Sequence, residues 1–481
     1  MGFEVRSIWE HEWNNILRTS AEVQSFLAEQ QFPEPLQPRD ALFGGRTGCV
    51  SLYYKAKRDE QIHYRDFTSL YPFIMKQREY PLGHPKIIYE NFGPLSDYFG
   101  LAKVKVYTPR GLFSPVVPVK VDGKLIFPLC MTCATTKQLE ECEHTNEQQA
   151  LTGTWCTVEL MEAMARGYNV VKIDEVWHFE KKSDKLFTGY INTFLRQKQE
   201  ASGFPQWCVS AEDKEKYIRD YHKREGVLLR QDQIDVNPTK RQIAKLFLNS
   251  LWGKFAQRTN LPNTSILRDP DMFFHYLFSN KYEVSMCEFI DDDTCCVCWK
   301  HTQDRITTSG TTNVFLACFT TAYGRLELYQ LLHKLQDRCL YHDTDSVIFV
   351  SREGLYNPPL SDFLGELTSE LPSDQYITEF VSTGPKSYGY KLSGGDTCVK
   401  VKGITLNYAN NQKINFDTLK DLVFAYTAGE DPPREIVVEQ KGIVRNKKQW
   451  TLETKTLRKT QRVVFDKRVI VNGFKTVPYG F

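Results

Sequence analysis

Apolar residues fall at three- to five-residue spacing through Leu316, Phe319, Tyr323, Leu326 and Leu331, which predicts a helix from Leu316 to Leu335 with one apolar face. The period then changes. CLYHDTDSVIFV alternates apolar and polar positions around an acidic tip, as a β-hairpin does. Alternation also runs between Gly100 and Pro128, broken by turns such as Val121-Asp122-Gly123-Lys124, so strands and hairpins are expected there. Residues 155–166 read as a helix stopped by Gly167, ahead of the strand-like VVKIDEVWHF. From Ser210 to about Arg258 the chain is charged and helical, with a break near Asn237-Pro238. Pro238 opens the second of these helices, with Thr239 and Lys240 in its first turn. FPEPLQPRD, from Phe32 to Asp40, is proline-rich and reads as a linker ahead of Gly44-Gly45. Strands and helices interleaved in this way predict a mixed chain, α+β or α/β.

Bulk properties narrow the class only a little. With 481 residues the chain has room for more than one core, and the prior is roughly two to four lobes. Hydrophobic residues at 41% and charged residues at 25% are ordinary for a globular protein. A net charge of +2 does not announce a nucleic-acid binder, so the distribution of charge has to decide. The N-terminus MGFEVRSIWEHEWNN has no signal-peptide core, and no 18-residue apolar stretch follows. The expectation is a soluble, intracellular protein without membrane contact. Its thirteen cysteines, from Cys49 to Cys398, are then free thiols or metal ligands rather than a disulfide framework.

Two acidic segments carry candidate chemistry. In HYRDFTSLYP, Asp66 ends a short strand and Pro72 blocks its continuation; in YHDTDSVIF, Asp343 and Asp345 stand two residues apart. Residues i and i+2 of a strand share a face, so both carboxylates are expected side by side. Negative charge on half-buried backbone is costly unless cations neutralise it. Two magnesium ions roughly 3.5–4 Å apart, each using a few carboxylates, waters and phosphate oxygens, would supply that charge and drive phosphoryl transfer. Asp66 and Asp345 would bridge the ions, with Asp343 an outer or transient ligand. The bland reading of DTD is a solvated hairpin turn.

A cationic helix face supplies a partner for those carboxylates. In KRQIAKLFLNSLWGKF, Arg241, Lys245, Asn249 and Trp252 are spaced 4, 4 and 3, so they share one face, while Ile243, Leu246, Phe247 and Leu251 pack elsewhere. Two cations and an amide opposite an acidic pair suit a triphosphate; the competing reading is a solvated amphipathic helix. DFTSLYP resembles motif A of family B DNA polymerases, KLFLNSLWGK resembles motif B and YHDTDS resembles motif C, in the family's order. GPKSYGYKL resembles the family's lysine-x-tyrosine element, and ALFGGRTG resembles the glycine-rich element that precedes motif A in protein-primed members, with Phe43 in its tyrosine position. The resemblance spans about residues 39 to 408 and is nearest to protein-primed enzymes of self-synthesising transposons, viruses and linear plasmids.

That resemblance implies an α+β right-hand architecture with an antiparallel palm sheet and flanking helices. The implied divisions are an N-terminal segment at 1–38, palm at 39–182 with an insertion around 128–150, fingers at 183–258, a second insertion at 259–310, palm again at 311–395 and thumb at 396–481. It implies a template-directed DNA polymerase working with two Mg²⁺ or Mn²⁺ ions on a primer–template, dNTPs and a terminal-protein primer, as a monomer. Asp66, Asp343 and Asp345 become the catalytic carboxylates, and the carbonyl of Phe67 a further metal ligand. Ser69, Leu70, Tyr71, Arg241, Lys245, Asn249 and Trp252 would hold the nucleotide, with Tyr71 excluding a 2′-hydroxyl. Gly44, Gly45, Arg46, Thr344, Lys386 and Tyr388 would face primer or template. Trp252 stands where the family has tyrosine, which keeps a stacking surface and loses a hydroxyl.

Some features lie outside the motifs. Cys130, Cys133, Cys142 and His144 are spaced C-x2-C-x8-C-x-H, compatible with one tetrahedral structural zinc or with reduced surface cysteines. Asp291-Asp292-Asp293 with Cys295, Cys296 and Cys298 reads as an exposed turn entering a strand. Residues 441–475 hold eleven Lys or Arg against Glu453 and Asp466, with Trp450 among them, and read as a surface that grips duplex phosphates. Only about 60 residues precede motif A, and Glu34 and Asp40 do not rebuild an exonuclease site, so the expectation is a fragment or an enzyme without proofreading. A reverse transcriptase would carry adjacent palm aspartates, whereas Thr344 separates Asp343 from Asp345. A catalytically silent, polymerase-derived DNA-binding protein is the reading from another class. Trp252 and the short N-terminus favour it, while the intact carboxylates and cations oppose it.

Overall fold

Five consecutive residues, Ser346 to Val350, are buried, so the second arm of the acidic hairpin is covered on both faces. The computed structural model describes residues 7–29, 34–302, 305, 310–446, 449–471 and 473–481; Phe32 and Pro33 of the expected linker and Lys447 and Lys448 of the basic tail lie outside them. A nine-stranded sheet surrounds the hairpin in the order Thr47–Cys49, Cys339–Asp343, Ser346–Arg352, Glu60–Phe67, Ile377–Gly384, Ser387–Leu392, Thr397–Lys400. Leu367–Ser369 also pairs with Glu60–Phe67, and Tyr53–Lys55 with Ile377–Gly384. Pleating sends alternate residues to different cores. Phe67, Val347 and Phe349 pack with helices Leu70–Gln77 and Val314–Leu335, while Ile62, Tyr64, Ile348 and Val350 pack with Tyr341, Phe380 and Tyr388.

The helix Val314–Leu335 is not the one-faced helix that the spacing predicts: every residue from Leu316 to Arg325 is buried. Ala317, Cys318, Ala322 and Gly324 are small enough for neighbours to approach from several sides, and a Cβ at Gly324 would lie 2.9 Å from the Tyr71 ring. The hydroxyls of Thr320 and Thr321 donate to the carbonyls of Leu316 and Ala317 at 2.7 and 3.1 Å, which satisfies them without water. Pro72 does not end the Glu60–Phe67 strand either. The chain turns at Ser69, in a left-handed conformation at φ 54°, and Pro72 sits in the first turn of Leu70–Gln77, where an N–H has no intrahelical partner.

A second, four-stranded antiparallel sheet runs Lys86–Ile88, Asn169–His178, Gly100–Tyr107, Leu151–Cys156. Residues 155 and 156 thus close a strand, and the helix expected from 155 begins at Thr157 and ends at Ala165. Asp122 and Gly123 both take positive φ, the two-residue turn that matches strand twist, between Val119–Val121 and Lys124–Ile126. Three helices, Thr188–Glu200, Ala211–Glu225 and Pro238–Ala256, form the helical region. The break before the last of them starts at Gly226, well ahead of Asn237. Ile243 and Leu246 do not pack as expected; they are 50% and 64% exposed, while Ala244 and Leu248 are buried and Leu251, Trp252 and Phe255 pack against the core. Phe247 does find a partner and stacks on Phe194 at 4.6 Å.

Toward the C-terminus, helix Phe416–Thr427 packs Leu419, Leu422 and Val423 against the Ile377–Gly384 strand. A long hairpin follows, Ile436–Asn446 paired with Thr451–Gln461, with Lys441, Arg445, Lys455 and Arg458 exposed. Three cations of the basic tail are used differently from the expected duplex grip. Arg468 is buried and donates to the Thr476 hydroxyl at 3.0 Å, Lys467 to the Thr47 hydroxyl at 3.0 Å, and Lys475 pairs with Asp337 at 3.3 Å, so these three dock the tail onto the main sheet. Among the described residues, no helix is long and apolar enough to cross a membrane.

One guanidinium joins the two sheets. Arg325 meets Glu159 through two bonds of 2.8 and 2.7 Å, with side chains 2% and 0% exposed. Its remaining amine donates to the carbonyls of Phe43 and Gly44 at 2.8 and 3.0 Å. Removing the acid strands a buried cation, so Glu159→Ala is expected to lower the unfolding free energy by about 3–5 kcal/mol. Urea denaturation with an unchanged m value measures it, and a loss below about 1 kcal/mol would contradict the role given to this pair.

Candidate active site

Strand register sets the site. Thr47 pairs with Asp343, Asp343 with Ser346, Ser346 with Asp66 and Asp66 with Thr368, so one row crosses five strands and carries two carboxylates. Asp345 is not on a strand, and its closeness to Asp343 does not come from the two-residue period expected. It lies in the hairpin turn, where Thr344 takes φ 58° and the Asp345 N–H bonds to the Asp343 carbonyl at 2.6 Å. The Asp345 carbonyl accepts from the Phe67 N–H at 2.7 Å, which places the turn against the end of the Asp66 strand. Thr344 N–H donates to the Arg46 carbonyl at 2.8 Å. A Cβ on Gly45 would come within 2.6 Å of the Thr344 hydroxyl, so only glycine admits this approach.

The carboxylates oppose one another. Burial, then Asp345 and Glu370, push the Asp66 carboxyl up to about 7, against the smaller pull of Lys245 and Lys400. Asp345 is raised by burial and then by Asp343. Asp343 is bound by Lys386, whose ammonium donates to both carboxylate oxygens at 2.9 Å. This is the donor set a divalent cation suits: hard oxygens, partly buried, with more negative charge than the surroundings cancel.

On the helical side, Arg241 donates from Nε to the Ser202 hydroxyl at 3.1 Å, and Lys245 is near enough to Asp66 to lower its pKa. Lys198, on the Thr188–Glu200 helix, joins them: burial, then Arg241 and Lys245, hold its ammonium down to about 8. Tyr71 packs on Trp252 with ring centroids 4.6 Å apart and planes at 39°. Asn249 is exposed one turn before Trp252, and Ser69 is half-buried at the head of the Leu70–Gln77 helix. The Leu70 side chain is 1% exposed in the core, so only its backbone borders the site.

Several expected DNA contacts are placed elsewhere. Arg46 is 3% exposed, donates to the Pro115 carbonyl at 2.6 Å and lies 4.1 Å over the Phe127 ring, so it supports the glycine-rich loop from below. Gly44 has open space around it. Tyr388 is 5% exposed with its hydroxyl 3.0 Å from that of Tyr64, inside the aromatic core that carries Lys386. Asp291-Asp292-Asp293 forms the exposed turn of the hairpin Tyr282–Asp291 and Thr294–His301, and Cys295 and Cys296 are buried behind it. Cys130, Cys133, Cys142 and His144 gather in a separate cluster, with ligating atoms all within 4.8 Å of one another.

The family described as DNA polymerase type B, organellar and viral, matches residues 37–207 and 214–337. The chain belongs to that family. Two relatives are 24% identical: a DNA polymerase of Kluyveromyces lactis over 386 residues, 77% of this chain and 33% of the relative, and a probable DNA polymerase of Neurospora intermedia over 341 residues, 67% and 28%. The chain therefore spans about a third of the length of these relatives. Among solved structures, phi29 DNA polymerase with primer-template DNA and incoming nucleotide substrates matches at TM-score 0.55 and 16% identity, covering 92% of this chain and 66% of that one. The same polymerase in an orthorhombic crystal form matches at 0.52 and 16%, covering 94% and 67%. The type B fold is thus the mixed α and β right-hand architecture that the motifs imply.

The type B motifs did not contain Lys198, Glu370 or Lys400. Each reaches the carboxylate or cation cluster from a segment with no local signature, and only the tertiary fold brings them in. The Asp66 shift gives a signed expectation. A carboxyl near 3.9 when unfolded and raised to about 7 when folded contributes stability that is full below the lower value and lost as pH rises through the upper one. In divalent-free buffer, Asp66→Asn should therefore melt higher than wild type above about pH 7, with the gap closing toward about pH 4 and narrowing when Mg²⁺ is added. Thermal melts across pH check it; a variant that melts lower than wild type at about pH 8 would remove the repulsion from the account.

Proposed function

We propose that this chain is a template-directed DNA polymerase module that adds dNTPs to a primer 3′-hydroxyl. The observation that carries the reading is the meeting of Asp66 and Asp345 below a cationic helix face, beside the Tyr71–Trp252 pair. Asp66, Asp345 and the Phe67 carbonyl would hold two Mg²⁺ or Mn²⁺ ions, with Asp343 adjoining. Bound there, such ions would lower the pKa of the attacking hydroxyl and neutralise the departing pyrophosphate.

The chain's own residues orient the reactants. Arg241, Lys245 and Lys198 bind the triphosphate, Asn249 and Ser69 fix its position, and little covalent chemistry is left for the protein to do. Tyr71, braced by Trp252 and by the close approach at Gly324, would form a flat wall against the sugar and exclude a 2′-hydroxyl. Lys386 faces the primer terminus, and the exposed cations of the Ile436–Gln461 hairpin bind duplex phosphates without reading bases. The family's description as organellar and viral supports replication of a mobile or virus-like genome; a terminal-protein hydroxyl as the first primer and a monomeric enzyme follow from the resemblance of the motifs.

Primer extension on a labelled primer–template with Mg²⁺, offered dNTPs or rNTPs, tests the reading beside Asp345→Asn. Wild type should extend with dNTPs only. The variant should lose at least about a thousandfold in rate while binding DNA within a few-fold of wild type. Wild-type-like incorporation by Asp345→Asn, or DNA binding with no extension by wild type, would sink the assignment.

A further inference from the structure

The four residues Cys130, Cys133, Cys142 and His144 take no part in the proposed reaction, yet the fold spends a buried pocket on them. Cys130, Cys133 and Cys142 are 0%, 1% and 7% exposed, and His144 is half-buried. The three sulfurs lie 3.6, 3.3 and 3.5 Å from the same atom, His144 Nδ1. With Zn–S of about 2.3 Å and Zn–N of about 2.05 Å, a tetrahedron has S···N edges of about 3.5 Å. The observed edges match that geometry. The loop is also held in place for it: Arg110 donates to the Cys142 carbonyl at 2.8 Å and the His144 carbonyl at 2.5 Å. The Cys133 N–H points to Cys130 Sγ at 3.4 Å, one donor to a thiolate.

We propose that Cys130, Cys133, Cys142 and His144 Nδ1 bind one structural Zn²⁺ that fastens the C-terminal segment to the insertion following the Asp66 motif. Three sulfurs and one nitrogen in a tetrahedron select zinc among common divalent ions, and four protein ligands leave no open position for catalysis. Binding forms three Zn–S bonds and one Zn–N bond, and the three thiol protons pass to solvent. The fastening is visible in the backbone. Leu129, next to the first ligand, donates its N–H to the Tyr479 carbonyl at 2.7 Å. Gly480 has φ +82°, and a Cβ there would lie 2.3 Å from the Cys130 Cβ, so the chain end rests directly on the ligand residue. Tyr479 is 3% exposed in the same core as Leu129 and Cys133.

Upstream, the same segment pairs with the main sheet through Leu52 N–H to the Phe474 carbonyl at 2.8 Å and Thr476 N–H to the Val50 carbonyl at 2.9 Å. It also meets the strand Lys124–Ile126, just ahead of the insertion, where Lys124 pairs with Asp466. That ion pair borders a cavity of about 390 Å³ lined also by Thr383, Lys386, Arg462 and Lys467.

Metal analysis of the full chain, purified without chelator, tests this with Cys133→Ser, His144→Ala and the distant buried-cysteine control Cys208→Ser. One zinc per chain is expected in wild type and Cys208→Ser, with affinity lower by at least about tenfold in the two ligand variants. Should those variants fail to fold, Co²⁺ titration of stripped wild type gives the same answer through thiolate-to-cobalt charge-transfer and tetrahedral d–d bands. Chelation should speed amide exchange of residues 474–481 by at least about tenfold relative to the Ile436–Gln461 hairpin. Stripped wild type that takes up neither zinc nor cobalt overturns the site. Zinc that binds without changing exchange at 474–481 overturns the fastening.

Discussion

The arrangement depends on a single strand register. Asp66 and Asp343 reach one row only because Ser346 pairs with both, and a slip of one residue would turn both acids to the opposite face. Burial on both sides fixes that register strongly: Val347 and Phe349 fill one core and Ile348 and Val350 the other, so no shifted pairing leaves the same apolar surface covered. The sheet is thus rigid where it has to hold charges that repel. Burial and neighbouring carboxylates raise the proton affinity of Asp66 and of Asp345, and that unfavourable energy is offset by the packing beneath them rather than by ion pairing.

Other features serve the same row from a distance. The turn holding Asp345 needs a backbone acceptor at Arg46, the acceptor needs Gly45 to approach Thr344, and the carbonyls just before Gly45 are held by Arg325. Arg325 can be buried because Glu159 answers it with two bonds, and Glu159 belongs to the helix that leaves the second sheet. The helix Val314–Leu335, buried all round from Leu316 to Arg325, is accordingly a shaft between the two sheets. It touches the site at Gly324, where the missing side chain admits Tyr71, and at Arg325, which positions the glycine loop.

Much of this was legible in order along the chain. The acidic hairpin, the Asp122-Gly123 turn, the Pro238 helix start and the motif residues all depend on local chemistry, and local chemistry is what a sequence displays. What was not legible depends on the third dimension. Arg46 and Arg468 carry full charges and were expected at a DNA surface, yet both are buried, because a guanidinium that bonds carbonyls and hydroxyls and covers aromatic rings can serve as a core residue. The spacing of Leu316, Phe319, Tyr323, Leu326 and Leu331 marks one apolar face, but the polar Thr320, Thr321 and Arg325 between them are buried too, because each is satisfied internally. Ile243 and Leu246 misled in the other direction, apolar in sequence and exposed in the fold.

The pairing of Lys386 with Asp343 bears on how such a site could work in sequence with its substrates. The lysine is 55% exposed and the aspartate 20%, so the pair is screened and contributes only about 0–1 kcal/mol despite its two 2.9 Å bonds. Either an arriving cation or a primer phosphate can separate the two at little cost. Asp66 and Asp345 differ, because burial and mutual repulsion make them the carboxylates that gain most from a cation. In the proposed reaction Asp343 would therefore hold Lys386 beside the carboxylate turn until a cation or a primer phosphate competes for one of the partners, and that separation would free the ammonium for the primer strand.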